Sequence, residues 1–237
     1  MHVDPLSRRG MTDWLAENAE KTRRYRVESA LERLYMPRQP AHGVPKNDLP
    51  ALYDYVAETL GDVPVRYLEF GVAGGLSMSR MIERFQHPDA RFTGFDSFEG
   101  LPEDWVLPWE TKHRGAFSTK GQAPRAADPR VSFVKGWFQN TLSAFLAANP
   151  LGGTRPLLVH YDADLYSSTL FVLATLWHNA SEHYFIFDEF MEHEMIALDD
   201  FSNAFPVEIE FLCQTDEGGY PSQIFGRLTR VPLVIGE

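Results

Sequence analysis

The stretch Arg66-Tyr-Leu-Glu-Phe-Gly-Val-Ala-Gly-Gly-Leu-Ser77 constrains the fold of this chain more than any other. A short apolar run ends in a glycine turn made of Gly71, Gly74 and Gly75, and Leu76 to Phe85 then continues at helical spacing. Buried strand, tight turn and helix in that order open a βαβ unit. The glycines let the backbone turn sharply and approach a ligand, and helix amides behind such a turn attract an anion. The spacing is Glu-x-Gly-x-x-Gly-Gly, which differs from the Gly-x-Gly-x-x-Gly of a dinucleotide fold. A glycine turn can equally serve only to close a βα corner.

The rest of the chain supplies the other strands of such a sheet. Arg91–Asp96, Val131–Lys135, Leu157–Tyr161 and Tyr184–Phe187 read as strands, with helices predicted over 141–148 and 167–177. Val207–Phe211 and Gln223–Leu228, joined around Gly218-Gly219, read as a closing hairpin. The expected fold is therefore α/β and Rossmann-like: a mostly parallel seven-stranded sheet with an antiparallel hairpin at its C-terminal edge. Upstream, helices are predicted over 12–35 and 48–60. The proline-rich stretch between them, with Pro37, Pro40, Pro45 and Pro50, reads as a loop. Residues 1–62 are expected to form a helical extension and 63–237 the main domain. Residues 103–130 carry Gly, Pro and two tryptophans without periodicity, and 103–125 is expected to be a lid.

Bulk properties narrow the partners. A formal net charge of −11 argues against a nucleic-acid partner, because phosphate binding needs basic surface. The single cysteine, Cys213, excludes a disulfide framework and a cysteine-based metal site. No signal-peptide pattern and no apolar run long enough to span a bilayer is present, so the expectation is a cytoplasmic protein without membrane contact that acts on a small molecule. A homo-oligomer is compatible with the sequence and not specified by it.

In an open parallel sheet, ligands bind beyond the C-terminal ends of the strands. Asp96, Asp162, Asp164, Asp188 and Glu189 all fall at or just after such ends. Asp96 lies 25 residues beyond Gly71, where a second strand can bring a carboxylate to a ribose. Four carboxylates from two neighbouring strands would repel, and a hard divalent cation such as Mg²⁺ would relieve them. Taken singly, each acid also suits a helix cap or a turn. His160 reads as a hydrogen-bonded core histidine, and Glu192-His193-Glu194 as a solvated helix face.

An acid two positions before the first glycine, as Glu69 stands here, is typical of S-adenosylmethionine (AdoMet) methyltransferases. Phe95-Asp-Ser-Phe-Glu-Gly-Leu-Pro102, Val134-Lys-Gly-Trp-Phe-Gln-Asn-Thr-Leu142, Asp162-Ala-Asp-Leu-Tyr-Ser-Ser-Thr169 and Asp188-Glu189-Phe190 together resemble the macrocin O-methyltransferase family. Those enzymes depend on AdoMet and Mg²⁺ and methylate sugar hydroxyls of natural products. The resemblance spans roughly residues 65–230 and implies a Rossmann-like class I methyltransferase fold. It implies metal ligation by Asp162, Asp188 and Glu189, with Asp164 as the base. Here the acid pair is Asp188-Glu189, where the family usually has Asp-Asp. On this reading Glu69, Gly71, Ala73, Gly75 and Ser77 hold the methionine part of AdoMet, Asp96 the ribose hydroxyls, and Ser97 and Trp137 lie near the adenine. Trp137 also suits plain core packing. Two rivals stay open at this point. One is a glycosyltransferase using Asp162-Ala-Asp164 to hold a nucleotide-sugar, and the other is a protein that binds AdoMet without chemistry.

Overall fold

The computed structural model describes residues 8–45, 48–217 and 220–232. By internal contacts the chain divides into two units, Met1–Gln39 and Pro40–Glu237. The first unit consists of helix α1 (Arg8–Ala30), a π-helical turn Leu31–Tyr35 and a 3₁₀ turn Met36–Arg38. The Arg38 guanidinium donates to the carbonyls of Arg33 (3.0 Å) and Leu34 (2.9 Å), which serves carbonyls that a helix end leaves without partners.

The second unit is built on one eight-stranded sheet. Its elements are β1 (His42–Pro45), α2 (Leu49–Leu60), β2 (Arg66–Phe70), α3 (Leu76–Arg84), β3 (Arg91–Asp96), a small hairpin of β4 (Trp105–Val106) and β5 (Thr111–Lys112), β6 (Val131–Lys135), α4 (Phe138–Ala148), β7 (Leu157–Tyr161), α5 (Tyr166–Asn179), β8 (Glu182–Phe187), α6 (His193–Ala204), β9 (Val207–Glu217) and β10 (Tyr220–Arg230). The strand order is β1-β9-β10-β8-β7-β2-β3-β6, and only β10 runs antiparallel to its neighbours. Seven of these strands are those expected from the sequence. The eighth, β1, lies in the proline-rich stretch read as a loop, and it covers the hairpin by pairing in parallel with β9, His42 opposite Cys213 and Val44 opposite Thr215. Helix α2 begins where Asp48 accepts the Ala51 amide (3.2 Å) and ends at Gly61, whose φ of 73° only glycine takes at low cost. Its Leu52, Tyr53 and Val56 pack with Met78 and Met81 of α3 against Tyr67, Leu158 and Ile186 of the sheet.

Register places the site. Phe95, Phe70, Tyr161 and Phe187 lie side by side across β3, β2, β7 and β8, with neighbouring ring centroids 4.7, 6.3 and 4.5 Å apart. Cross-strand aromatic pairs of this kind contribute roughly 0.2–1 kcal/mol each. The residue after each aromatic is Asp96, Gly71, Asp162 or Asp188. One more row of ladder bonds holds three of these: Gly71 N–H to Phe95 O (3.0 Å), Asp162 N–H to Phe70 O (2.9 Å) and Asp188 N–H to Tyr161 O (3.0 Å). The aromatic row is thus a rigid floor with the chemistry-bearing residues one step above it. No helix among the described residues is long and apolar enough to cross a membrane.

Candidate active site

A cavity of about 880 Å³ opens above that floor. Gly71, Ala73, Asp96, Ser97, Trp137, Asp162, Asp164, Asp188 and Glu189 line it, so nine residues singled out from sequence share one chamber. Glu69, Gly75 and Ser77 do not line it. Glu69 is fully buried beneath the turn, where its carboxylate accepts hydrogen bonds from Ser77 Oγ (2.7 Å) and Tyr67 Oη (2.6 Å). Burial raises its pKa, opposed by His160, Tyr67 and Ser77. Tyr67 Oη also lies 2.8 Å from His160 Nδ1, and His160 is the hydrogen-bonded core histidine expected. Among the described residues its buried Nε2 has no hydrogen-bond partner, and it lies 3.7 Å from Asp188 Oδ1.

The glycine turn is tied to both neighbouring strand ends. Asp96 Oδ2 accepts the amides of Val72 and Ala73 (both 2.8 Å), and Oδ1 accepts that of Phe98 (2.7 Å). Asp96 therefore does the work of a turn residue, holding the turn's shape while facing the cavity. Ala73 sits at φ 44° and Gly71 at φ 95°. A Cβ on Gly71 would fall 1.8 Å from the backbone oxygen of Asp162, so the turn can pass the acid segment only as glycine. On its other side, Pro124 would lie 3.0 Å from a Cβ on Gly75.

The acids opposite are placed differently. Burial pushes the Asp162 carboxyl well above the usual range, reinforced by Asp188 and then Asp164. Asp164 is pushed up to about 7 by burial and then by Glu189 and Asp188. Its φ of 60° is an uncommon value for a residue with a side chain. An all-oxygen donor set suits a hard cation such as Mg²⁺ in kind. Among the described residues, however, no three Asp, Glu, His or Cys side chains are grouped closely enough to hold an ion as they stand.

One expectation is overturned here. Glu192-His193-Glu194 is not a solvated helix face: Glu194 is 0% and Glu192 6% exposed. The first turn of α6 tucks under the acid-bearing loops, where Glu194 Oε1 accepts the Ala163 amide and Oε2 the Glu189 amide, each at 3.2 Å. Sequence reasoning missed Glu194 because charged residues at a helix start look solvent-facing, and only tertiary packing buries this one. The stretch 103–130 also carries more structure than its irregular sequence suggests. It holds the β4–β5 hairpin, and Trp105 packs with Leu101 and Leu165 while Trp109 and Phe117 remain exposed at the cavity wall.

A sheet of this order, with a glycine turn after β2 and acids at the following strand ends, defines a class I AdoMet-dependent methyltransferase fold. The profile of the macrocin-O-methyltransferase (TylF) family matches residues 8–216, and the chain belongs to that family of AdoMet-dependent O-methyltransferases. No curated protein sequence matches it. Similar solved structures include the O-methyltransferase TomG from Streptomyces achromogenes, involved in tomaymycin synthesis, in complex with SAM. That likeness has 15% identity, covers 77% of this chain and 79% of that chain, and has a TM-score of 0.47. The O-methyltransferase from Bacillus cereus in complex with SAH is similar at 13% identity, 87% and 91% coverage and a TM-score of 0.47. CmcI with Mg and SAM is similar at 18% identity, 78% and 72% coverage and a TM-score of 0.48.

Proposed function

We propose that this protein transfers the methyl group of AdoMet to a hydroxyl of a small molecule, a sugar of a natural product, with Mg²⁺ held by Asp162, Asp188 and Glu189. The observation that carries this reading is the contact between glycine turn and acid segment in one cavity, close enough that a single added methyl at Gly71 would overlap the Asp162 backbone. A methyl donor on the turn and an acceptor at the acids would then meet in line, and positioning of that kind supplies much of the catalysis of a displacement reaction. Gly71, Ala73 and Gly75 leave room for the methionine part, with Glu69 and Ser77 beneath it. Asp96 offers its remaining lone pairs to the ribose, and Ser97 and Trp137 flank the adenine. When bound, Mg²⁺ would polarise the acceptor hydroxyl and lower its pKa. Asp164, with a pKa of about 7, is suited to accept the hydroxyl proton on its carboxylate near neutral pH. Residues 103–125 close over the cavity as a lid on this reading, and hydrogen exchange in that stretch should slow when cofactor and acceptor are both present.

The test uses methyl-labelled AdoMet and a panel of glycoside, phenol and polyol acceptors. Transfer to a hydroxyl that stops with EDTA and returns with Mg²⁺, while labelled AdoMet stays bound throughout, is the expected result. Transfer that survives exhaustive chelation would remove the metal from the reading. Retention of a UDP-sugar in place of AdoMet would replace the reading with glycosyl transfer.

A further inference from the structure

Glu194 stands outside the roles assigned above, yet its side chain touches both acid-bearing loops. Its two oxygens accept the amides of Ala163, midway between Asp162 and Asp164, and of Glu189, the second member of the other pair. The carboxyl is fully buried, and burial drives its pKa well above the ordinary glutamate value, with Asp164 and Asp188 adding to the shift. An apolar residue would cost less to bury in so acidic a neighbourhood. An apolar residue would also take its acceptor from the buried Ala163 amide, at roughly 1–3 kcal/mol.

The backbone that Glu194 grips is strained. Asp164 holds φ 60°, and the turn is closed by a tight Leu165 N–H to Ala163 O bond of 2.6 Å. A non-glycine residue stays in that region only where its surroundings over-determine it. The bond from Glu194 to the preceding amide is such a determinant, and its second bond fixes the same turn relative to the end of β8.

We propose that Glu194 is a positioning residue that sets the separation and orientation of the Asp162–Asp164 and Asp188–Glu189 loops, and so decides whether their carboxylates can share one ligand. The proposal rests on the reading of those acids as a cation site. Glutamine cannot replace Glu194, because whichever way its amide is turned, an NH₂ faces one of the two N–H groups.

The test pairs Glu194→Gln with two probes, Mn²⁺ titrated by electron paramagnetic resonance and S-adenosylhomocysteine titrated by calorimetry. Loss of an outer group that orients metal ligands lowers metal affinity about 10–100-fold, and that loss is expected here with S-adenosylhomocysteine affinity unchanged. A merely structural role would weaken both probes together, and that result, or unchanged Mn²⁺ binding, overturns the proposal. Should Glu194→Gln not fold, Glu194→Met carries the same two titrations. If wild-type protein binds no Mn²⁺, the metal reading falls, and crystal structures of wild type and variant with S-adenosylhomocysteine decide the matter alone. Asp164 relaxed to negative φ and the two loops moved apart would support the positioning role, and superimposable loops would end it. Hydrogen exchange in the wild type adds a check that needs no variant: fast exchange of the Ala163 and Glu189 amides would also overturn the proposal.

Discussion

The two walls of the cavity treat their charges in opposite ways. On the glycine-turn wall, Asp96 is supplied with three amide donors and Glu69 with two hydroxyls, so each acid stabilises a backbone shape. On the acid wall, Asp162 and Asp164 are governed chiefly by burial and then by neighbouring acids, Asp188 first for Asp162 and Glu189 first for Asp164. A polar group whose partners are all internal serves architecture. One left without compensation is kept for something that arrives from outside.

The largest expected effect breaks this contrast at its seam. Gly71→Ala forces a Cβ into the Asp162 carbonyl at φ 95°, so the turn and the acid segment must part. We expect a loss on the order of 4 kcal/mol or more in thermal unfolding, together with loss of S-adenosylhomocysteine binding in whatever remains folded. A variant with unchanged melting and unchanged calorimetry would show that the close approach is not needed.

His183 sharpens the contrast from the side of a buried base. Burial lowers its pKa to about 4, and its partner is Tyr161 Oη at 3.1 Å. The unfolded chain binds that proton near pH 6.5, so the stability is full above 6.5 and is lost as pH falls from 6.5 towards 4, by at most roughly 3 kcal/mol. His183→Gln should flatten that part of the stability-against-pH curve in urea titrations. An unchanged slope would place the acid sensitivity elsewhere.

Asp162→Asn removes a carboxylate that no hydrogen bond compensates among the described residues. In EDTA the variant should melt higher than wild type, by about 2 kcal/mol of stability, and with Mg²⁺ restored it should still lack methyl transfer. A lower melting point would mean that the acid wall has internal partners after all. The smallest effect belongs to Asp96→Asn. It should cost about 1–2 kcal/mol in both unfolding and S-adenosylhomocysteine binding, because the turn loses acceptors for its amides. A drop in binding alone would assign Asp96 to the ligand and not to the turn.

Local patterns made much of this legible. Strands β2, β3, β6, β7 and β8 are short apolar runs, and the glycine turn announces itself by spacing. The acids at the strand ends followed once those ends were located. What escaped depends on partners far away in the chain. Glu194 lies in a charged helix start that only packing buries, and two of the three amides on Asp96, those of Val72 and Ala73, come from a turn whose shape had to be seen. The β4–β5 hairpin is two residues per strand, too short for any periodicity. Strand β1 lies among prolines, which local rules read as a loop, and its pairing partner is near the other end of the sequence.

That last pairing has a consequence for how the molecule is made. Strand β1 leaves the ribosome well before its partner β9, and among the described residues β1 bonds to no other strand of the sheet. Loop closure over so much chain must precede any gain from the contact, which makes such pairings slow. The nascent chain therefore carries an unmatched strand until β9 emerges, and Pro45 within it removes one donor from the edge it offers to other chains. The earliest strand is the last to be seated, and its arrival marks the point at which the sheet is complete.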